Sequence, residues 1–190
     1  MGKDSKWSLQ SLIEIGVAGL LVILGLVFLF LGVGDYRLRS ASVSAFEAYD
    51  RNDPGKVEGF CREALAVDET YHPARQLLAK ILLEKETPDL EGAEKEYRHL
   101  VDGGYSGANA HVGLGVISLL RASREKDPAS VANWIKSARH SFQDAGEDCI
   151  EAQIGLAHAA LLESLKNGQS LSRGKGLFQK VLSRLHSNEA

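Results

Sequence analysis

A short spacing pattern occurs four times between residues 57 and 181 and constrains the fold more than any other feature. It consists of a small or medium-sized apolar residue, a second residue four positions later that is aromatic in three of the four copies, and a third apolar residue three positions after that. These intervals place all three residues on one face of an α-helix. The recurrence predicts a stack of helices that bury equivalent faces against their neighbours. The four copies are Val57/Cys61/Ala64, Ala93/Tyr97/Leu100, Ala138/Phe142/Ala145 and Gly174/Phe178/Val181.

Three dipeptides before these helices have the composition of a helix start. They are Asp53-Pro54, Thr87-Pro88 and Asp127-Pro128, and the first two are 34 residues apart. Aspartate and threonine cap helix N-termini, and proline suits the first helical position because its missing N–H has no partner there anyway. The dipeptides therefore predict helices that begin at Pro54, Pro88 and Pro128.

A second set of helices precedes the first, each marked by one small residue that leucine precedes in three of the four cases. Small residues let two helices of a pair approach closely. The chain is therefore predicted to be all-α, with two helices in each repeat. The small residues are Ala45, Ala79, Gly115 and Ala157, and the leucines are Leu78, Leu114 and Leu156.

The two helix patterns together resemble the tetratricopeptide repeat family. The resemblance implies an α-solenoid of about four helical hairpins within a domain at residues 35–186, followed by a tail at 187–190. The first unit departs from the family pattern, because it lacks the leucine and has Cys61 where an aromatic residue is usual. Glycine-rich first helices, such as Gly113-Leu114-Gly115, also resemble Sel1-like repeats, the second choice. The implied units are 38–71, 72–107, 108–149 and 150–183.

The connection between the two helices of a unit lengthens from the second unit onward. The longest insertion lies around Arg121 to Ser130 and is strongly charged. Insertions at one recurrent position of a repeat place additional loops on one face of a solenoid. The sequence therefore predicts a charged loop here.

An uninterrupted apolar run extends from Ile15 to Val33, after a polar tail at residues 1–11. Nineteen helical residues reach roughly 29 Å, which matches the hydrocarbon core of a bilayer. The run is too long for the apolar part of a cleaved signal peptide. A single transmembrane helix is therefore predicted at residues 12–34, and it remains uncleaved.

Small residues recur every seven positions inside this predicted span, at Ala18, Gly25 and Gly32. They form one helical stripe that could contact another transmembrane helix. Basic residues flank both ends of the span, so the positive-inside rule discriminates weakly. Since a short positive tail stays most easily in the cytoplasm, the repeats are expected on the non-cytoplasmic side, with a bacterial inner membrane as the expected location.

The family resemblance also implies a concave groove, lined by the first helix of each unit, that binds a helix or an extended peptide of a partner protein. The Lys/Asn/Arg cluster with which some family members bind a C-terminal carboxylate is missing here. The alternative reading of the two groove valines is that they contact the neighbouring hairpin or the C-terminal helix. The implied groove residues are Gln76, Lys80, Asn109, Val112, Val116, Ile154 and His158.

The side chains that could act in catalysis or bind a metal are not arranged in any motif that predicts a reaction. Net charge is −3, so the chain has no basic footprint for nucleic acid. None of the six histidines has metal-site spacing. We therefore predict no catalytic, cofactor or metal site and no enzyme. The expected function is a membrane-tethered adaptor that helps to assemble a membrane complex; the alternative is a structural subunit of such a complex, docked through its transmembrane helix.

Overall fold

The computed structural model describes residues 9–105, 107–168 and 171–187, except the side chains of residues 9–19, 28–31, 173 and 184–187. All regular secondary structure in this part is helical, which confirms the predicted class. Residues 1–8 of the predicted N-terminal tail and 188–190 of the C-terminal tail lie outside the description. The helices are α1 Leu9–Asp50, α2 Pro54–Val67, α3 His72–Glu84, α4 Leu90–Asp102, α5 Ala108–Arg124, α6 Pro128–Asp144, α7 Ile150–Lys166 and α8 Ser172–Ser187.

Helix α1 runs without a break from the apolar segment into the first helix of the repeat region. It has 42 residues and crosses the boundary between residues 34 and 35 without interruption. Its N-terminal part is long and apolar enough to cross a membrane, and none of that apolar window is buried inside the described structure. Its C-terminal part buries Ala41, Ala45 and Ala48. One continuous element therefore carries both the exposed apolar segment and part of the core.

Two of the three predicted helix starts are confirmed, and the third is wrong. Asp53 and Asp127 cap α2 and α6, each with proline in the first turn. Helix α4 instead begins at Leu90, because the Asp89 carboxylate accepts a hydrogen bond from the Gly92 amide at 2.9 Å. The Asp89 amide donates to the Leu82 carbonyl, which leaves Thr87 and Pro88 in the connection from α3.

The predicted charged loop around residues 121–130 is also wrong. Helix α5 continues to Arg124 and α6 begins at Pro128, so only residues 125–127 connect them. Basic residues in the last turn of α5 suit the negative end of the helix dipole. Arg121 is held further by Glu94 of α4 at 2.5 Å and lies 5.0 Å from the ring centroid of Trp134 on α6. The lengthening of this unit is therefore taken up by longer helices.

Consecutive helices pack against each other along the whole described chain. The odd-numbered helices α1, α3, α5 and α7 also contact one another in order, each touching the next odd-numbered helix. Among the described residues, the even-numbered helices make no such contacts with each other. The odd-numbered helices therefore form the more closely packed layer.

Most of the buried residues between these layers are alanine and aliphatic, and two aromatic rings within them lie against glycines. The ring of Phe142 on α6 lies against both Gly115 of α5 and Gly155 of α7, where an added Cβ would be 2.5 and 2.4 Å from Cε1. Tyr97 of α4 covers Gly113 in the same way, with an added Cβ 2.3 Å from its ring. In α4 and α6 the aromatic residue of the spacing pattern therefore fills the space that glycines of the adjacent odd-numbered helices leave open.

Ion pairs add a second set of links between adjacent helices. Arg75 of α3 pairs with Glu96 of α4 at 2.5 Å, and both side chains are largely buried. Arg139 of α6 pairs with Glu163 of α7. Removing either partner of the Arg75–Glu96 pair would leave the other charge largely buried without compensation.

Candidate interaction surface

One position of the sequence pattern is exposed in all four odd-numbered helices. The small residue that marks each of these helices is buried in every case, at Ala45, Ala79, Gly115 and Ala157. The residue that follows it points outward in every case. We call these following residues the odd-helix face: Phe46, Lys80, Val116 and His158.

Four of the predicted groove residues are exposed in the structure: Lys80, Asn109, Val116 and His158. Gln76, Val112 and Ile154 are half-buried. Val112 packs against the buried cluster of Ala138, Phe142 and Ala152, which is the neighbouring contact that the alternative reading expects. Val116, one turn later on α5, is 36% exposed and belongs to the odd-helix face. The two valines therefore differ in their surroundings.

Lys80 is the charged member of the odd-helix face and contacts two neighbours. Its Nζ lies 4.8 Å from the ring centroid of Tyr49 on α1 and 3.8 Å from Glu84. The interaction with Tyr49, ahead of that with Glu84, raises the pKa of Lys80. The ammonium group is exposed beside these two neighbours, where an acidic group of a ligand could also reach it.

His158 forms the other end of the face. Its ring meets Phe178 of α8 edge-on, with a centroid distance of 5.3 Å. This contact orients the imidazole while leaving the side chain exposed. The face thus runs from an aromatic residue through a cation and an aliphatic residue to a histidine.

Sequence reasoning missed the contribution of the first unit to this surface. Phe46 is 51% exposed, and Tyr49 is half-buried beside Lys80. The signal was present, because Phe46 directly follows Ala45, the small residue of the first unit. That unit lacks the leucine that marks the other three, so no groove residue was assigned to it.

Two cavities lie on the opposite side of the odd-numbered helices. One, of about 220 Å³, opens between α4 and α6 above α5 and includes Arg98, His111, Trp134 and His140. The other, of about 440 Å³, lies between α6 and α8 and includes Gln153, Leu156 and Lys180. Acidic, basic and apolar groups are mixed in both linings. Neither cavity includes a residue of the odd-helix face.

The predicted transmembrane contact residues lie on α1. Gly25 and Gly32 have no other atom within 4 Å of an added Cβ, so the backbone at both positions is open to a neighbour. Ala18 lies in α1 but outside the residues whose side chains are described. Tyr36 and Val43 continue along α1 beyond the apolar run, with exposed fractions of 73% and 57%.

Both cysteines are free thiols. Cys61 is fully buried, and burial raises the pKa of its thiol to about 12. Cys149 is half-buried and contacts the carboxylate of Glu151 at 3.4 Å. Since a nucleophilic thiol needs a lowered pKa, Cys61 serves packing. The described residues contain no group of three or more metal-binding side chains.

The chain was compared with protein-family profiles, curated proteins and solved structures. No match was found in any of the three comparisons.

Proposed function

We propose that this chain is a single-pass membrane protein whose helical repeats bind other proteins beside the bilayer, without catalysing a reaction. One observation carries the proposal. Four equivalent positions of the odd-numbered helices remain exposed, and α1 connects this face directly to an apolar helix of membrane-spanning length. Such a molecule is suited to holding a partner close to a membrane.

The proposed architecture of the repeats is a short solenoid of four tetratricopeptide-like hairpins. Its support is the burial of equivalent pattern positions in successive units and the closer packing of the odd-numbered helices. An array whose one layer is more closely packed curves toward that layer. The odd-helix face would then line the concave side, where solenoids bind extended partners.

The chemistry of the face indicates the kind of segment that fits. Phe46 and Val116 offer apolar contacts, whereas Lys80 between them offers a positive charge. We infer a helix or an extended segment with apolar side chains on either side of an acidic residue. Binding of this kind is weak for a short groove, and tethering both molecules at one membrane raises their effective concentration.

The proposed location is a bacterial inner membrane, with the repeats on the non-cytoplasmic side. The exposed apolar part of α1 supports a membrane location in general, and the short basic tail before it is the only reason for the proposed side. The alternative function, a structural subunit that docks through its transmembrane helix, is favoured by the open backbone at Gly25 and Gly32. The two functions predict different effects when the odd-helix face is changed.

The adaptor function can be tested by crosslinking the full-length chain in native membranes and isolating it with its partners. Lys80→Glu and Val116→Asp change exposed residues of the odd-helix face. Leu182→Asp, at an exposed apolar residue of α8, is the matched control. We expect a several-fold loss of specific adducts in the first two variants and none in the control, with equal helix content by circular dichroism.

Adducts that persist unchanged in both face variants would contradict the adaptor function. Recovery of the same complex from all variants after solubilisation would instead favour the structural subunit, since its docking does not use the odd-helix face. Val112 is unsuitable for this test because it is packed against the Phe142 cluster, so a charge there would disturb folding.

A further inference from the structure

An ion pair joins each of α2, α4 and α6 to the odd-numbered helix that follows, always at the same place. One charge is on the residue directly after the first residue of the spacing pattern. The other is six positions after the small residue that marks the odd-numbered helix, inside that helix or directly after it. The pairs are Glu58–Lys85 at 2.7 Å, Glu94–Arg121 at 2.5 Å and Arg139–Glu163, in which the two charges are exchanged.

An aromatic ring accompanies the ion pair at two of these junctions. Tyr97 of α4 covers Gly113 of α5, and Phe142 of α6 covers Gly155 of α7. Each ring is three residues after the charge of its own helix, and each glycine is eight residues before the charge of its helix. Residues eight apart share one side of a helix. A junction therefore joins a charge and a ring on one helix to a small residue and an opposite charge on the next.

Helix α8 presents the first half of such a junction, and no described helix follows it. Lys175 and Phe178 come after Gly174, the first pattern residue of α8, at the same intervals as the charge and the ring of α6. Lys175 is exposed and has no ion-pair partner among the described residues. Phe178 contacts His158 of α7 and is half-buried, whereas Phe142, between α5 and α7, is 1% exposed. The charge and the ring of α8 therefore both lack the helix that covers their equivalents.

The exposed end of α1 does not supply the missing half from a second copy of the chain. In α1, Val43 is in the position of the glycine and Arg51 is in the position of the charge. Arg51 also pairs with Glu47 of its own helix at 3.3 Å. Stacking α8 of one copy on α1 of another would set Lys175 against a like charge, which disfavours the contact. Charge complementarity therefore favours a helix of a different protein.

We propose that the outer face of α8, formed by Lys175 and Phe178, docks one helix of a partner protein. That helix carries a glycine or alanine against the Phe178 ring and an aspartate or glutamate, eight positions later, that pairs with Lys175. The molecule itself contains the arrangement, since α7 offers Gly155 and Glu163 to α6 in this way. The inference rests neither on the odd-helix face nor on membrane insertion. It adds a second surface, with a partner of different chemistry, at the end of the array.

A synthetic peptide with the sequence of α7, residues 150–166, is the probe, because it carries the small residue and the acid at the required spacing. The isotopically labelled peptide is mixed with the full-length chain in bilayer discs. A carbodiimide then joins carboxylates to amines that are in direct contact. We expect mass spectrometry to find Glu163 of the labelled peptide joined to Lys175 of the chain.

Exchange of the two charges is the matched control. The Glu163→Lys peptide should give several-fold less product at this site, and combining it with Lys175→Glu in the chain should restore the product. The Gly155→Leu peptide should also give several-fold less, because its side chain takes the space of the aromatic ring. Leu182→Asp in the chain should change nothing, since Gly146, the equivalent residue at the α6–α7 junction, is exposed.

Linkage at Lys175 that requires opposite charges on the two molecules supports the docking face. Equal linkage by the unaltered and the Glu163→Lys peptide, linkage only at other lysines, or no linkage overturns it. The same reagent applied to native membranes tests the natural occupant. An adduct at Lys175 with another protein, whose linked carboxylate is eight residues after a glycine or alanine, supports the proposal. An adduct of two copies of the chain, or no adduct at Lys175, overturns it.

Discussion

At the scale of single residues, the packing of α4 and α6 on the odd-numbered helices depends on glycines that make room for aromatic rings. Gly155 is the clearest example, because the Phe142 ring occupies the space where its side chain would be. Other glycines lie in helices without such a neighbour. Gly59 in α2 has no other atom within 4 Å of an added Cβ. The same substitution should therefore have opposite effects at these two positions.

We expect Gly155→Ala to lower the free energy of unfolding by about 1–3 kcal/mol, because the new methyl group forces the Phe142 ring and its surroundings to move. Gly59→Ala should raise it by about 0.5–1 kcal/mol, because alanine loses less backbone entropy in a helix. Urea unfolding of the full chain in detergent micelles, followed by circular dichroism, measures both. An equal rise in both variants would contradict the packing of Phe142 on Gly155.

At the scale of elements, the starts of α2, α4 and α6 depend on an aspartate whose side chain accepts a hydrogen bond from an amide of the first turn. Asp89 does this for α4, whereas Thr87 lies two residues too early. Proline in the following position does not by itself define the start, since Pro88 lies in the connection before the helix. In these three helices the first turn begins where a carboxylate and the amide three residues later meet.

Replacing Asp89 with alanine should therefore lower the free energy of unfolding by about 1 kcal/mol, the usual effect of losing a helix cap. Thr87→Ala removes a similar polar group from the same exposed connection and should leave the free energy of unfolding nearly unchanged. Thermal unfolding of both variants provides the comparison. A larger loss with Thr87→Ala would place the helix start at the Thr-Pro dipeptide after all.

At the scale of the whole molecule, the helices are joined by carboxylates whose charge depends on pH. Burial acts to raise the pKa of Glu94, but hydrogen bonds from Arg98 and Arg121 outweigh it, and the pKa lies below its ordinary value of 4.5. Lys85 and then Arg62 lower the pKa of Glu58 in the same sense. Glu94 links α4 to α5 through Arg121. Glu58 links α2 to Lys85, the residue that follows α3.

A carboxylate whose pKa is lowered by folding contributes stability above its unfolded pKa and loses it as pH falls through the folded value. We therefore expect the free energy of unfolding to hold constant near neutral pH and to fall below about pH 4.5. Glu94→Gln should be less stable at neutral pH and should show a shallower acid decline. Glu63→Gln, at an exposed residue of α2, is the control and should follow the unaltered chain in unfolding measured between pH 3 and 7.

The spacing of residues in the sequence was sufficient to predict that the chain is helical and to assign most of the buried helix faces. Intervals of three and four residues follow from helix geometry alone, so Val57, Cys61 and Ala64 could be assigned to one buried face before any neighbour was known. The same holds for the apolar length of α1. These features depend only on the covalent order of residues and on the 3.6-residue turn.

Exposure of equivalent positions was decided by tertiary structure. Val43 and Leu77 occupy the same place in their helices, yet one is exposed and the other buried, because only α3 follows another repeat helix. Val112 and Val116 differ for the same reason, since only the first meets the Phe142 cluster. A residue's place on its own helix is set by the chain, whereas its burial is set by whether another helix lies opposite.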